Sequence, residues 1–391
     1  MGKGSRIQRT PGGPRSGTKA GRGRFSGQML RYVDDRVPGI TRRRRGRYWQ
    51  YFKPDGSRVT DREEIDRLNA IGMPPAYERC WFCPWPNGHL QGFGFDAKGR
   101  KQYRYHPDFR AEQEARKYER LAAFGEALPR LRKKVEEDLT GKPTAVDTVL
   151  AAVVRLIDET RMRVGSEEYA KENKSFGATT LRNRHARVER GKLKISYQGK
   201  HGIKRTVTVT DRNLVRIARR TQDLPGQHLF EYVNDDGSVC PVTSGDVNAY
   251  IKAAMGEDFT AKDFRTWGAS TIAFEAMLEK LAEHGSVKLK SVIEPVAEAL
   301  GNTPAISRKS YVHPALIEAA KDAGAIGTRK LPRATKYLSS AERGLIEFLA
   351  ALPEETARVD EKAVKRAKAR GKSKAAAEAE LAKAAEDKVA A

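Results

Sequence analysis

The chain has 391 residues, a formal net charge of +24 and an isoelectric point near 9.9, which leaves room for two domains with tails and points to a polyanionic partner. Three cysteines, Cys80, Cys83 and Cys240, exclude a disulfide scaffold and indicate a reducing, cytoplasmic compartment. No apolar run reaches about 18 residues, which excludes a membrane-spanning helix, and the Arg-rich N-terminus lacks the apolar stretch of a secretory signal.

Residues 1–27 are rich in Gly, Arg, Ser and Pro, carry seven basic residues and no acid, and read as a disordered tail. Most of the basic excess falls instead on residues 28–353. Residues 28–110 read as a β-rich module. Within it, 48–60 is expected to form a hairpin turning at Asp55-Gly56. Further strands are expected at 79–84 and 90–95, separated by Pro86-Asn-Gly. After a turn at 96–99, residues 98–106 alternate basic and aromatic side chains. The run Arg42 to Arg45 reads as a phosphate-facing surface. A zinc site at Cys80-Trp-Phe-Cys83 would need two more ligands, with His89 and His106 available. The aromatic pair between the thiols reads instead as strand core, so no metal is expected.

Residues 111–353 read as a mainly helical domain. A charged helix is expected over about 108–139. A second, with Val146, Val149, Leu150, Val153, Val154 and Ile157 at helical spacing, has Thr144 and Asp147 as a variant capping box. Residues 192–210 alternate as an embedded β-hairpin turning at 198–202. More helices are expected at 211–220, 244–255, 264–284, 287–300 and 304–322. Gly301 suits the end of one, and Thr303-Pro304 the start of the next. Residues 354–391 are a low-complexity Ala/Lys/Glu tail, with ten Lys/Arg against eight Asp/Glu. The fold class is therefore α+β.

The segment Gly301-Asn-Thr-Pro-Ala-Ile-Ser-Arg-Lys-Ser-Tyr311 sets a phenol just after two cations, Arg308 and Lys309. A free tyrosine titrates near 10, and neighbouring positive charge stabilises its phenolate and holds a phosphodiester beside it. Phosphoryl transfer to a protein nucleophile also needs cations on the non-bridging oxygens and an acid for the leaving oxygen. Arg163 and Arg265 offer the first, and Lys200, in the tight turn Gly199-Lys200-His201-Gly202, offers the second. Each of these residues alone is as well explained by packing or by a solvated surface.

Together they resemble the type IB DNA topoisomerases, in the short poxvirus-like form found in bacteria. The resemblance runs from about Tyr32 to Ala350. It rests on six blocks in order: 96–105, 169–173, 177–185, Gly199-Lys200, Lys262-Asp-Phe-Arg-Thr-Trp-Gly268 and 301–311. It implies that Tyr311 attacks the scissile phosphodiester to form a 3′-phosphotyrosyl link, that Arg163 and Arg265 stabilise the transition state, and that Lys200 protonates the departing 5′-oxygen. Asn302 stands where the family often has histidine. It can donate a hydrogen bond to a phosphate oxygen but cannot act as an acid. The resemblance further implies no cofactor, no nucleotide and no metal, with double-stranded DNA as the partner of a monomer that closes as a clamp, in the bacterial nucleoid. Gln102, Tyr103 and Tyr105 match residues that touch DNA in the family. Lys98, Arg100 and Lys101 beside them would meet phosphates, as would Lys171, Arg182, Lys262, Arg308 and Lys309.

The tyrosine recombinases share the same catalytic set by resemblance. Against them stand Lys262, where recombinases usually carry histidine three residues before the second arginine, and a β-rich rather than helical N-terminal module. A non-enzymatic nucleic-acid-binding protein would fit the charge but leaves Tyr311, Lys200 and the two arginines unexplained.

Overall fold

The computed structural model describes residues 29–321 and 330–352; the expected tails at 1–27 and 354–391 lie outside them. The described residues fall into two compact units that divide between Glu112 and Gln113.

The first unit is a five-stranded antiparallel sheet built from β1 (Ile40–Arg45), β2 (Tyr48–Phe52), β3 (Glu78–Phe82), β4 (Leu90–Phe95) and β5 (Lys101–Tyr105), in the order β2-β1-β3-β4-β5. Helix α1 (Arg62–Ala70) starts at Asp61, whose carboxylate caps the Glu63 amide. Alternation along the strands gives the sheet two cores. One gathers Ile40, Tyr51, Leu68, Met73, Cys80 and Phe82; the other gathers Val33, Trp81, Cys83, Leu90 and Phe93. The two thiols thus sit on opposite faces, both buried and free, and burial pushes both up.

The expected 48–60 hairpin is only half present. The turn forms, with Gly56 at φ +83° donating to the Lys53 carbonyl, but its second arm meets β2 in a single bridge, Phe52 to Arg58. Tyr48–Phe52 pairs instead with β1, Arg43 opposite Gln50. The Arg42 to Arg45 run is therefore a strand. Arg42 turns inward to donate to the carbonyls of Met73, Pro74 and Tyr77 and to lie over the Trp49 ring.

Helix α2 (Pro107–Glu119) carries the division between the units, and α3 (Leu121–Asp138) follows after a break at Arg120, where one helix was expected. Next come α4 (Val146–Thr160), α5 (Glu167–Asn173), a three-stranded sheet of β6 (Ala186–Glu189), β7 (Lys192–Gln198) and β8 (Lys204–Val209), and α6 (Arg212–Gln222). The first residue of α4 is preceded by Ala145 as N-cap with no side-chain bond, so the expected Thr144 box does not form. A short pair, β9 (Glu231–Val233) and β10 (Val239–Pro241), leads to α7 (Ser244–Met255), α8 (Asp263–His284), α9 (Leu289–Leu300), α10 (Pro304–Ser310), α11 (Pro314–Ala319) and α12 (Ser340–Ala350).

The core of this unit runs through α3, α4 and α8. Phe124, Leu128, Leu131, Val153, Ile157, Trp267 and Phe274 are all fully buried, each worth about 1.5–3 kcal/mol of burial. One polar network fastens α12 across these helices. Arg132 pairs with Asp158 at 2.8 Å and Glu342 at 2.7 Å, and Glu342 also accepts from the Trp267 indole. Among the described residues no helix is long and apolar enough to cross a membrane.

Candidate active site

The expected helix over 304–322 is broken in two, and the break holds Tyr311. Thr303 caps α10, Tyr311 closes it, and His313 caps α11, with Pro314 at its first position. Proline there has no amide to give a preceding turn and disfavours helical backbone in the residue before it, so the chain must leave the helix near Tyr311. Buried Ser270 on α8 fixes the kink, donating to the Tyr311 carbonyl at 3.4 Å and accepting from the His313 amide at 3.1 Å.

Arg265 lies in the first turn of α8, between buried Phe264 and Trp267, and is drawn in with them to 3% exposure. Its guanidinium donates to the carbonyls of Arg161 and Leu300, and its centre stands 5.0 Å from the Tyr311 ring. Arg163 comes from the end of α4. Arg161 there takes the left-handed conformation (φ 54°), and residues 161–166, Arg163 among them, belong to no helix or strand. The Arg163 carbonyl is held by the Ala178 amide, and a Cβ on neighbouring Gly177 would come within 2.5 Å of it, so only glycine fits. Asn302 follows Gly301, which ends α9 at φ 59°. Its Oδ1 accepts from Arg163 Nη2 at 3.1 Å.

Electrostatics follow from this crowding. Burial lowers Arg265 most, Arg163 repels its charge as well, and its pKa falls to about 10, still cationic at neutral pH. For Tyr311, burial is the largest single influence and acts upward. Arg265 and Arg163 together outweigh it, through charge and hydrogen bonding, so the phenol lies below its ordinary value. Among the described residues no carboxylate pairs with Arg163, Arg205 or Arg265. Two donors, Arg265 Nε and Asn302 Nδ2, are buried without any partner. Buried cations and unpaired N–H groups are costly unless an anion completes them. An anion beside the phenol would complete both.

Lys200 is not gathered into this cluster. It sits exposed in the turn between β7 and β8, with no hydrogen-bond or ion-pair partner among the described residues. Lys171, Lys262, Arg308 and Lys309 are exposed in the same unit, whereas Arg182 is engaged by Glu167 at 3.0 Å and His228 at 2.7 Å. In the sheet unit, Tyr103 and Tyr105 stack on one face of β5, 42% and 38% exposed. Lys101 and Tyr103 both bind Asp35, while Arg100 and Gln102 bind Asp96; Lys98 is exposed.

The sequence reading missed two cations. Lys117 Nζ donates to the Ser310 carbonyl at 2.8 Å, immediately before the nucleophile candidate, and burial brings its pKa down to about 8. Arg205 on β8 reaches the end of α9. Neither stands in a recognisable motif, and each acts on a backbone carbonyl that only the tertiary fold brings near. Among the described residues no three His, Cys, Asp or Glu side chains gather as a metal site.

A family model described as the eukaryotic DNA topoisomerase I catalytic core matches residues 106–337, and one described as the bacterial DNA topoisomerase IB N-terminal domain matches residues 48–96. The chain is 32% identical over 287 residues to DNA topoisomerase 1B of Acanthamoeba polyphaga mimivirus, covering 71% of this chain and 85% of that protein. It is 25% identical over 239 residues to DNA topoisomerase 1B of Vaccinia virus (strain Copenhagen), covering 59% and 72%. Among solved structures, XerH site-specific recombinase bound to a difH substrate matches at 20% identity and a TM-score of 0.32, covering 50% of this chain and 52% of that one.

Proposed function

This chain belongs to the type IB DNA topoisomerases, and from that premise we propose that its guanidinium pocket holds the scissile phosphodiester against Tyr311. The enzyme relaxes supercoiled duplex DNA by transient cleavage of one strand, rotation and religation, the chemistry general to the family. The Tyr311 oxygen attacks phosphorus. A phosphorus–oxygen bond to the phenol forms, the bond to the 5′-oxygen breaks, and the departing oxygen takes a proton from the Lys200 ammonium. Religation runs the same steps backwards. The energy of the broken bond is kept in the phosphotyrosyl link, so the cycle draws on no nucleotide.

Arg163, Arg265 and Asn302 bind the non-bridging oxygens, with Arg265 Nε and Asn302 Nδ2 as donors that have no other partner. Lys200 reaches the leaving oxygen once the duplex fills the site. Stacked Tyr103 and Tyr105, with Lys98, Arg100, Lys101 and Gln102, supply a second set of DNA contacts from the sheet unit (28–110 in the sequence reading), while Lys171, Arg182, Lys262, Arg308 and Lys309 meet phosphates around the catalytic unit (111–353). The protein works as a monomer on cytoplasmic, nucleoid DNA.

One observation carries this reading: buried Arg265 and half-buried Arg163, carboxylate-free, with two spare donors at Arg265 Nε and Asn302 Nδ2 beside a phenol of lowered pKa. Its test is plasmid relaxation in chelator without ATP, with denaturing capture of the protein–DNA adduct and mapping of the linked residue. Tyr311→Phe is expected to bind DNA normally and form no adduct. An adduct mapping to another residue would refute the assignment.

A further inference from the structure

The exposed acid and the buried phosphate pocket lie on separate elements, yet proton transfer requires them to act in register. Lys200 sits at the tip of the β7–β8 hairpin; Asn302 sits just past the end of α9. One side chain joins the two. Arg205 pairs across the hairpin with Tyr197, one rung below the last, Gln198 with Lys204. From there Arg205 Nη2 donates to the Ala299 carbonyl at 2.7 Å, in the last turn of α9. Its Nη1 lies so close to Gly301 that a Cβ there would approach to 2.4 Å. Gly301 leads directly into Asn302, whose Oδ1 takes the Arg163 bond.

A carbonyl at a helix end can be capped by water or by a lysine at small cost. Here a third guanidinium is spent on it, close enough to raise the repulsion on buried Arg265. The fork suits a task a point charge does less well: it fixes an angle as well as a distance. Near the turn the Phe176 amide also donates to the Gln198 carbonyl, and Tyr197 is buried in the core; the Arg205 fork is the side-chain bond that ties the hairpin to α9.

We propose that Arg205 is a positioning residue for cleavage, which locks the hairpin bearing Lys200 to the turn bearing Asn302 so that acid and phosphate pocket stay aligned. This rests on the reading of Lys200 as the acid.

The test compares single-turnover cleavage of a duplex with a normal 5′-bridging oxygen against one with sulfur at that atom, because a thiolate leaves without protonation. Lys200→Ala is expected to lose about 100-fold on oxygen and to recover to within about threefold of the unsubstituted enzyme on sulfur. Arg205→Ala should lose about tenfold or more on oxygen and recover on sulfur in the same way. The double variant should be no slower on oxygen than Lys200→Ala, since Arg205 acts through Lys200. Arg205→Lys keeps the charge without the fork, and is expected to show the same selective loss at smaller size; it carries the test if the alanine variant does not fold. If Lys200→Ala is not rescued by sulfur, the acid assignment falls and the inference with it. If Lys200→Ala is rescued but a folded Arg205 variant loses equally on both substrates, the inference alone is overturned, and Arg205 is a direct phosphate or structural contact.

Discussion

Arg163 Nη2 donates to Asn302 Oδ1 at 3.1 Å, and this bond decides what the amide can do for a phosphate. A guanidinium cannot accept, so the oxygen must face it and the nitrogen must face away. That nitrogen is buried and unpartnered. Asn302→Asp removes the donor and offers Arg163 a carboxylate that competes with phosphate. Single-turnover cleavage should fall by about 100-fold or more, with DNA affinity nearly unchanged. Asn302→His restores a donor and should stay within about tenfold of the original. An aspartate variant as fast as the original would rule out the donor role.

Arg265 and Arg163 are expected to fail differently when changed to lysine. Arg265 satisfies two carbonyls, of Arg161 and Leu300, from a buried position. An ammonium cannot reach both, and each carbonyl left bare costs about 1–3 kcal/mol. Arg265→Lys should therefore lower both the melting temperature and the cleavage rate. The Arg163 side chain meets the Asn302 amide and the Tyr311 phenol and satisfies no main-chain carbonyl among the described residues, so Arg163→Lys should slow cleavage and lower melting less than Arg265→Lys does. Equal melting of the two variants would contradict this division of labour.

Local signals in the chain announce much of this site, and tertiary ones do not. Gly301, Thr303 and Pro304 are punctuation that any helix obeys, and they lie where the structure ends α9 and starts α10. Pro314 was an equally clear stop, but buried Val312, Leu316 and Ile317 keep an apolar rhythm that carries the eye through the kink at Tyr311. In the sheet unit, Arg42 was read with its three neighbours as surface. The need of three loop carbonyls for a donor turned it inward, and nothing in a run of four arginines says which one will go. Arg182 was read as a phosphate contact; the structure adds a partner 15 residues away in sequence, the Glu167 carboxylate, which the motif did not announce. Arg265, Asn302 and Tyr311 were named within blocks of the resemblance, and Arg163 from the stretch just after the apolar helix. Lys117 and Arg205 could not be named, because their partners are carbonyls.

His313 predicts an acid limb in stability. Burial, with some repulsion from Lys117, lowers its pKa to about 4, and its Nδ1 must stay unprotonated to accept the Ala315 amide. The folded pKa lies below the unfolded value, so between the two only the unfolded chain binds the proton. The stabilisation is therefore complete above about pH 6.5 and drains away as pH falls toward 4, about 3 kcal/mol in all. His313→Asn keeps an N-cap acceptor and cannot titrate. Melting temperatures measured from pH 4.5 to 7.5 should fall less steeply for this variant than for the original. Parallel curves would show that His313 does not set the acid limb.

Asp35 holds two of the expected DNA contacts in reserve. Lys101 lies 2.5 Å from its carboxylate and the Tyr103 hydroxyl donates to it at 3.1 Å; the lysine bond, foremost, holds Asp35 below the usual carboxylate range. A phosphate that recruits Lys101 must displace this carboxylate. Asp35→Asn removes the competitor and adds one positive charge. Affinity for duplex DNA should rise about threefold or more at low salt, and the slope of log affinity against log salt should steepen by about one phosphate's worth, 0.9. The gain should vanish at high salt, where counterion release no longer drives binding. Weaker binding at every salt concentration would mean that Asp35 orients Lys101 and Tyr103 for DNA rather than withholding them.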